Sequence, residues 1–233
     1  MKSAIIIPAL NEAAVIESVV LSVIDRVDLV VVADNGSTDG TGGLAEAAGA
    51  KVVYVETAGY GRACLAGVAA SEAAELLIFM DGDGADDPND IAALIAPIIA
   101  GELDLVIGSR MIGHREEESM TPVQVFGNRL ASTMMSWFWD SPFTDLGPLR
   151  AVRRSAYDKL NMTAPTFGWT VEMQVRALKQ KLRCGEVPVS YKKRVGISKI
   201  SGTLRGAALA GYFIIGTILI EAISRNRGRY SAS

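Results

Sequence analysis

Histidine is nearly missing from this chain: His114 is the only one in 233 residues. That leaves little for general-base catalysis by imidazole. Cysteine is almost as scarce. Cys64 and Cys184 lie too far apart to suggest a disulfide framework, which fits a reducing compartment. Aromatics make up 6% and are not interleaved with the basic residues, so nucleic acid ranks last among partners and none is expected. There is no repeat, low-complexity tract or Ser/Gly/Pro-rich linker. Ala4–Ile7 is too short for the apolar stretch of a secretory signal, and Pro8 follows at once, so a cytoplasmic protein is expected. No G-x-G-x-x-G opens the first helix, and G-x-x-x-x-G-K occurs nowhere. Their absence argues against a Rossmann dehydrogenase and a P-loop enzyme.

What is present is uneven. Residues 1–120 hold 6 Lys/Arg against 20 Asp/Glu, and residues 121–233 hold 17 against 6. A basic C-terminal half calls for an anionic partner, a phosphate or an acidic lipid surface. Apolar runs at Ser3–Ile7, Asp28–Ala33, Lys51–Val55, Leu76–Met80 and Leu103–Ile107 alternate with helical patterns at Glu12–Ile24, Thr41–Ala48, Ala63–Ala74 and Ile91–Ile99. Asn11 and Asp90 are candidate caps, and Pro97 should interrupt its helix. This rhythm predicts an α/β fold with a mostly parallel sheet flanked by helices.

The central run ends in Asp81-Gly82-Asp83-Gly84-Ala85-Asp86-Asp87. Carboxylates at the carboxyl end of a parallel strand sit where open sheets bind ligands. Asp81 and Asp83 repel one another unless a cation lies between them. Their hard oxygens suit Mg²⁺ or Mn²⁺, with a ligand phosphate completing the shell. A solvated acidic turn is the plainer alternative.

The motifs together carry a resemblance. Ile6-Ile7-Pro8-Ala9-Leu10-Asn11-Glu12, then Val31 to Thr41 (VVADNGSTDGT), then Met80-Asp81-Gly82-Asp83, are similar to family 2 glycosyltransferases of the GT-A (nucleotide-diphospho-sugar transferase) fold. Ile107-Gly108-Ser109-Arg110, Gly127-Asn128-Arg129, Leu149-Arg150-Ala151 and Val187-Pro188-Val189 resemble its dolichyl-phosphate mannose synthase-like, polyprenyl-phosphate branch. The resemblance spans about residues 4–205. It implies that Pro8, Ala9, Glu12 and Asp34 hold the nucleotide, and that Asp81 and Asp83 hold metal and diphosphate. Gly82, together with Gly61 and Arg62 of the Gly59–Arg62 turn, joins this donor set. Inversion at the anomeric carbon is implied by the family alone. Gly147-Pro148-Leu149 departs from the Ser-Gly-Phe commoner in the branch, which leaves sugar and acceptor open.

Further along, Arg110 follows a strand end and can face the same cleft, where a guanidinium suits a phosphate. Residues 111–121 are a polar loop and candidate lid. A helix over Val123–Trp139 puts Phe126, Leu130, Met134 and Phe138 on one face, and the resemblance makes its Arg129 a second binder of the acceptor phosphate. Asp145 is the candidate base if the acceptor is a hydroxyl. Glu172, in a helix opening near Gly168, could contact the donor sugar. Arg183–Tyr191 reads as a last strand. Lys192, Lys193, Arg194 and Lys199 form a basic, Gly-containing loop that can close over a diphosphate or an anionic lipid head.

Gly206–Ile220 is 15 residues without charge, short of the roughly 20 apolar residues that span a bilayer. Residues 204–233 read as an apolar helix and basic tail beside a 1–203 domain, placed at a membrane interface or packed on the domain or a second subunit. The expected activity is metal-dependent sugar transfer from a nucleoside-diphosphate sugar to a polyprenyl phosphate, with Asp83, Arg110 and Asp145 at the reaction centre. A soluble hydroxyl acceptor, a sugar nucleotidyltransferase and a non-catalytic membrane-associated binding protein are the alternatives. Peripheral membrane association and a homodimer both stay open.

Overall fold

A computed structural model describes residues 1–194 and 211–223. In chain order the elements are β1 (Ser3–Ala9), α1 (Ile16–Val23), β2 (Leu29–Asp34), α2 (Thr41–Ala47), β3 (Lys51–Tyr54), α3 (Tyr60–Ala69), β4 (Leu76–Phe79), α4 (Ile91–Ile99), β5 (Leu105–Ser109), α5 (Pro122–Trp139), β6 (Arg150–Arg153), α6 (Arg154–Leu160), α7 (Trp169–Lys179) and β7 (Cys184–Pro188). Residues 211–223 form one more helix, α8. Among the described residues seven strands make one sheet, ordered β3-β2-β1-β4-β6-β5-β7. All neighbours are parallel except β6, which runs antiparallel to both β4 and β5.

The apolar runs become strands because both faces of the sheet are covered. Successive side chains alternate between two cores. Ile5, Ile7, Leu76, Ile78 and Val106 pack with α1 and α4 on one side. Ala4, Ile6, Leu77, Phe79 and Ile107 pack with α3, α5, α6 and α7 on the other. α1 buries Ile16, Val19, Val20 and Val23, one stripe of a 3.6-residue period. Thr121 and Gln124 close a capping box that starts α5, and Asp140 in the left-handed region ends it.

Several local expectations give way. Asn11 does not cap α1, which starts five residues later. Its own φ is 51°, and its side chain accepts the Thr38 N–H at 2.7 Å, tying the loop after β1 to the loop after β2. Asp90 makes no side-chain cap either, since its Oδ2 accepts the Ser190 N–H at 2.6 Å. Pro97 lies inside α4, which continues to Ile99. The sequence pattern does not predict β6 or α6. Four residues with arginine at both ends do not look like a central strand.

α8 packs on the domain. Ile218 is fully buried in the core, and Glu221 pairs with Arg176 at 3.2 Å and Lys179 at 2.6 Å. Its outer side leaves Tyr212, Leu219, Ile220 and Ile223 exposed. No helix among the described residues is long and apolar enough to cross a membrane. The expected boundary at 203/204 falls outside the described residues.

Candidate active site

The carboxyl ends of β1, β2, β4 and β5 meet at one edge of the sheet, so Ala9, Asp34, Asp81 and Ser109–Arg110 lie together there. The reversed β6 brings its amino end to the same edge, where Arg150 stands opposite both Phe79 and Ile107.

Asp34, only 3% exposed, accepts the Ser37 N–H on Oδ1 at 2.8 Å. The Ala9 carbonyl accepts the Asn35 N–H at 2.8 Å, and the Glu12 N–H donates to Thr41 Oγ1 at 2.8 Å. Pro8, Ala9, Glu12 and Asp34 therefore share one corner. Gly61 is in the first turn of α3, pressed against the 164–165 backbone: a Cβ there would overlap the Ala164 carbonyl oxygen. The Arg62 N–H donates to the Pro165 carbonyl, while its guanidinium turns back to Ala58. Gly61→Ala is expected to cost about 1–3 kcal/mol by overpacking, read as a lower unfolding midpoint in a thermal melt.

Asp81 accepts the Tyr60 hydroxyl at 3.1 Å, and its N–H donates to Asp86 Oδ2 at 3.2 Å. Burial first, and the neighbouring Asp83 second, push the Asp81 carboxyl up to about 6. Asp83 accepts the Ala85 N–H on Oδ1 at 3.0 Å, and Arg194 reaches its Oδ2 at 3.1 Å. Asp86 is 4% exposed and its Oδ1 has no hydrogen-bond partner among the described residues. Its pKa too is raised, by burial and then by Asp81 and Asp83. Gly82 packs under this turn, against Ala9 and Ile7. No trio of His, Cys, Asp or Glu among the described residues forms a metal cage. Two carboxylates in surplus negative charge, with an orphaned buried oxygen beside them, still fit a hard cation that takes its other ligands from a phosphate.

A cavity of about 390 Å³ opens from Asp81 and Tyr60. Arg110, Tyr191 and Arg194 line its polar end. Phe126, Leu130, Leu146, Pro148, Phe167, Ile214 and Ile215 line the rest, so α5 and α8 form its apolar walls. Arg110 is held rigidly. Asp145 takes its Nε and Nη2, each at 2.8 Å, and its backbone N–H at 2.8 Å. The Arg110 Cζ lies 4.9 Å from the Tyr191 ring centroid.

Four expected roles move. Asp145 is fully buried. Burial alone would raise its pKa, but the Arg110 guanidinium outweighs it and holds the carboxyl below the usual range. With both oxygens engaged, it is not placed to take a proton from an acceptor; it positions Arg110. Glu172 is also buried and committed: it accepts the Thr163 and Ala164 N–H groups and the Thr163 hydroxyl, and pairs with Arg176 at 2.8 Å. It braces the 163–165 loop against α3 rather than meeting a sugar. Arg129 faces a neighbouring groove with residues 113–120, outside the Asp81 cavity. Lys193 pairs with Glu118 at 2.7 Å, and its N–H donates to Glu116. Lys199 lies outside the described residues. The candidate lid is tied down, since the His114 carbonyl accepts from Tyr191 N and the Glu116 N–H donates to the Tyr191 carbonyl.

The sequence pattern assigns no role to Tyr60, Tyr191 or Arg150. Arg150 is fully buried, donating to the Leu146, Gly147 and Thr170 carbonyls with its Cζ 5.8 Å from the Trp169 ring. Burial pushes its pKa down to about 10, so it keeps its charge at neutral pH. Its place in Leu149-Arg150-Ala151 was the one available signal.

Residues 4–160 match glycosyl transferase family 2. An uncharacterised glycosyltransferase of Mycobacterium tuberculosis is 35% identical over 211 residues, covering 88% of this chain and 93% of the relative. A dolichyl-phosphate hexose transferase of Haloferax volcanii is 30% identical over 227 residues, 94% of this chain and 95% of the relative. Among solved structures, glucosyl-3-phosphoglycerate synthase of Mycobacterium tuberculosis, in complex with Mn²⁺, UDP and glucosyl-3-phosphoglycerate, superposes with a TM-score of 0.76 at 23% identity, over 95% of this chain and 80% of that one. The shared architecture is the GT-A fold.

Proposed function

This chain belongs to glycosyl transferase family 2 and is a glycosyltransferase, and we propose that it moves a sugar from a nucleoside-diphosphate sugar to a polyprenyl phosphate. The observation that carries the acceptor is the cavity. One end holds Asp81, Arg110 and Arg194, and the remainder is walled by apolar side chains of α5 and α8. A charged head with a long apolar tail matches that division. The dolichyl-phosphate hexose transferase supports the same class.

The donor base and ribose sit at the corner made by Pro8, Ala9, Glu12 and Asp34, with the diphosphate at Asp81 and Asp83. Mg²⁺ or Mn²⁺ held by those two carboxylates would offset the charge that develops on the leaving diphosphate. Arg110, oriented by Asp145 and Tyr191, holds the acceptor phosphate near the anomeric carbon. A phosphate is already a charged nucleophile at neutral pH, so no general base is required, which agrees with the burial of Asp145. The same two helices also carry exposed apolar residues, Phe126, Trp137 and Phe138 on α5 and Tyr212, Ile220 and Ile223 on α8. They support peripheral contact with a lipid surface, on the cytoplasmic face of the membrane.

A transfer assay tests the reading: UDP- and GDP-sugars, with Mn²⁺ or Mg²⁺, with and without a short polyprenyl phosphate. Metal-dependent turnover stimulated by the lipid phosphate is expected. Donor hydrolysis indifferent to the lipid would overturn the acceptor. Leu130→Glu, which places a charge in the apolar wall, is expected to raise KM for the lipid about tenfold or more and to leave donor hydrolysis intact.

A further inference from the structure

Three successive cations follow the last strand, and each takes a different carboxylate. Lys192 pairs with Asp87 at 3.1 Å, Lys193 with Glu118 at 2.7 Å, and Arg194 with Asp83 at 3.1 Å. Of the three, only Arg194 lines the Asp81 cavity. The backbone before it is clamped from two sides. The Lys192 N–H donates to the Ala85 carbonyl at 2.8 Å, within the aspartate turn. The Tyr191 N–H and carbonyl join His114 and Glu116, and the Lys193 N–H donates to Glu116 Oε2. Arg194 is thus a tethered cation: its root is fixed beside the carboxylates, and its long side chain can turn without moving the chain.

This has a consequence for Asp83. Oδ1 accepts the Ala85 N–H and Oδ2 holds the guanidinium, so both oxygens are engaged. A cation arriving from solution competes with Arg194 for Oδ2. A tethered group competes at high effective concentration, but a monovalent guanidinium with its own alternatives can be drawn away. The strongest alternative within reach is a diphosphate, which a guanidinium binds in bidentate fashion.

Resting on the reading of Asp81 and Asp83 as the metal–diphosphate pair, we propose that Arg194 is an internal counter-ion that occupies Asp83 in the empty site and hands it to the metal when a nucleoside diphosphate takes the guanidinium. Metal and nucleotide then bind cooperatively, and the coupling is reciprocal. The empty site is kept weak for free divalent ions, while the aspartate turn is spared uncompensated charge.

The test is Mn²⁺ binding to the full chain, followed by electron paramagnetic resonance of the free ion, alone and with UDP or GDP. The wild type is expected to bind Mn²⁺ weakly alone and much more tightly with the matching nucleotide. Arg194→Gln is expected to bind Mn²⁺ alone about tenfold more tightly, equivalent to about 1.4 kcal/mol, and to gain less from the nucleotide. Arg194→Lys, which keeps the charge, should stay near wild type. Far-UV circular dichroism and a thermal melt confirm that each variant is folded. Unchanged or weaker Mn²⁺ binding in folded Arg194→Gln overturns the counter-ion while leaving the glycosyltransferase reading intact. Tighter binding with an undiminished nucleotide gain overturns the handover. A wild type that binds no Mn²⁺ with either nucleotide overturns the metal site, and this inference with it.

Discussion

Asp83→Asn is expected to lower sugar transfer by about 10³-fold, a loss of about 4 kcal/mol of transition-state stabilisation. The amide can still accept the Ala85 N–H, so the turn keeps its shape. What disappears is the charge that would share a cation with Asp81, together with the Arg194 ion pair. That pair is partly exposed and contributes only about 1 kcal/mol or less to stability. The variant should therefore melt within a few degrees of wild type while its Mn²⁺ titration with nucleotide collapses. Steady-state kinetics beside a thermal melt separates the two effects. A variant with normal turnover and normal metal dependence would remove Asp83 from the reaction centre.

The second large effect lies in stability. Asp145→Asn leaves the Arg110 guanidinium, only 11% exposed, without its buried counter-charge, and such a loss costs about 3 kcal/mol. For a chain of this length that lowers the unfolding midpoint by about 6–12 °C. The sign of its pH dependence follows from the depressed pKa of Asp145 in the fold. The ionised carboxylate stabilises the native state above the unfolded carboxyl value, about 3.9, and that contribution is lost as pH falls through the lower folded value. The gap between wild type and variant should thus be full at neutral pH and narrow in strong acid. Transfer should fall as well, because Arg110 loses its orientation, with KM for the acceptor rising. A variant as stable as wild type, defective only toward a hydroxyl acceptor, would return Asp145 to the role of base.

Tyr191 links both regions. Its ring lies against Arg110, its backbone holds the 114–116 loop, and Arg194 follows three residues later. Arg110 and the cation on Asp83 therefore share one support.

The amino-acid sequence by itself determined the alternation of strands and helices, and with it the edge where the candidate site lies. Short apolar runs between helical patterns leave few parallel topologies, and in those the carboxyl ends converge. Asp34, Asp81 and Arg110 were legible because each directly follows or ends such a run. Tertiary structure alone decided which charged residues face the cavity and which are spent inside. Asp145, Glu172 and Arg129 look alike in sequence to residues at the site, but the first two are buried on Arg110 and on the 163–165 loop, and the third faces another groove. Whether a carboxylate meets solvent, a partner or a ligand depends on elements far away in the chain. The same holds for β6, whose buried Arg150 finds its acceptors only after Leu146, Gly147 and Thr170 are brought around it. The apolar walls of the cavity come from α5, which ends at Trp139, and α8, which starts at Gly211, and no local pattern encodes their meeting.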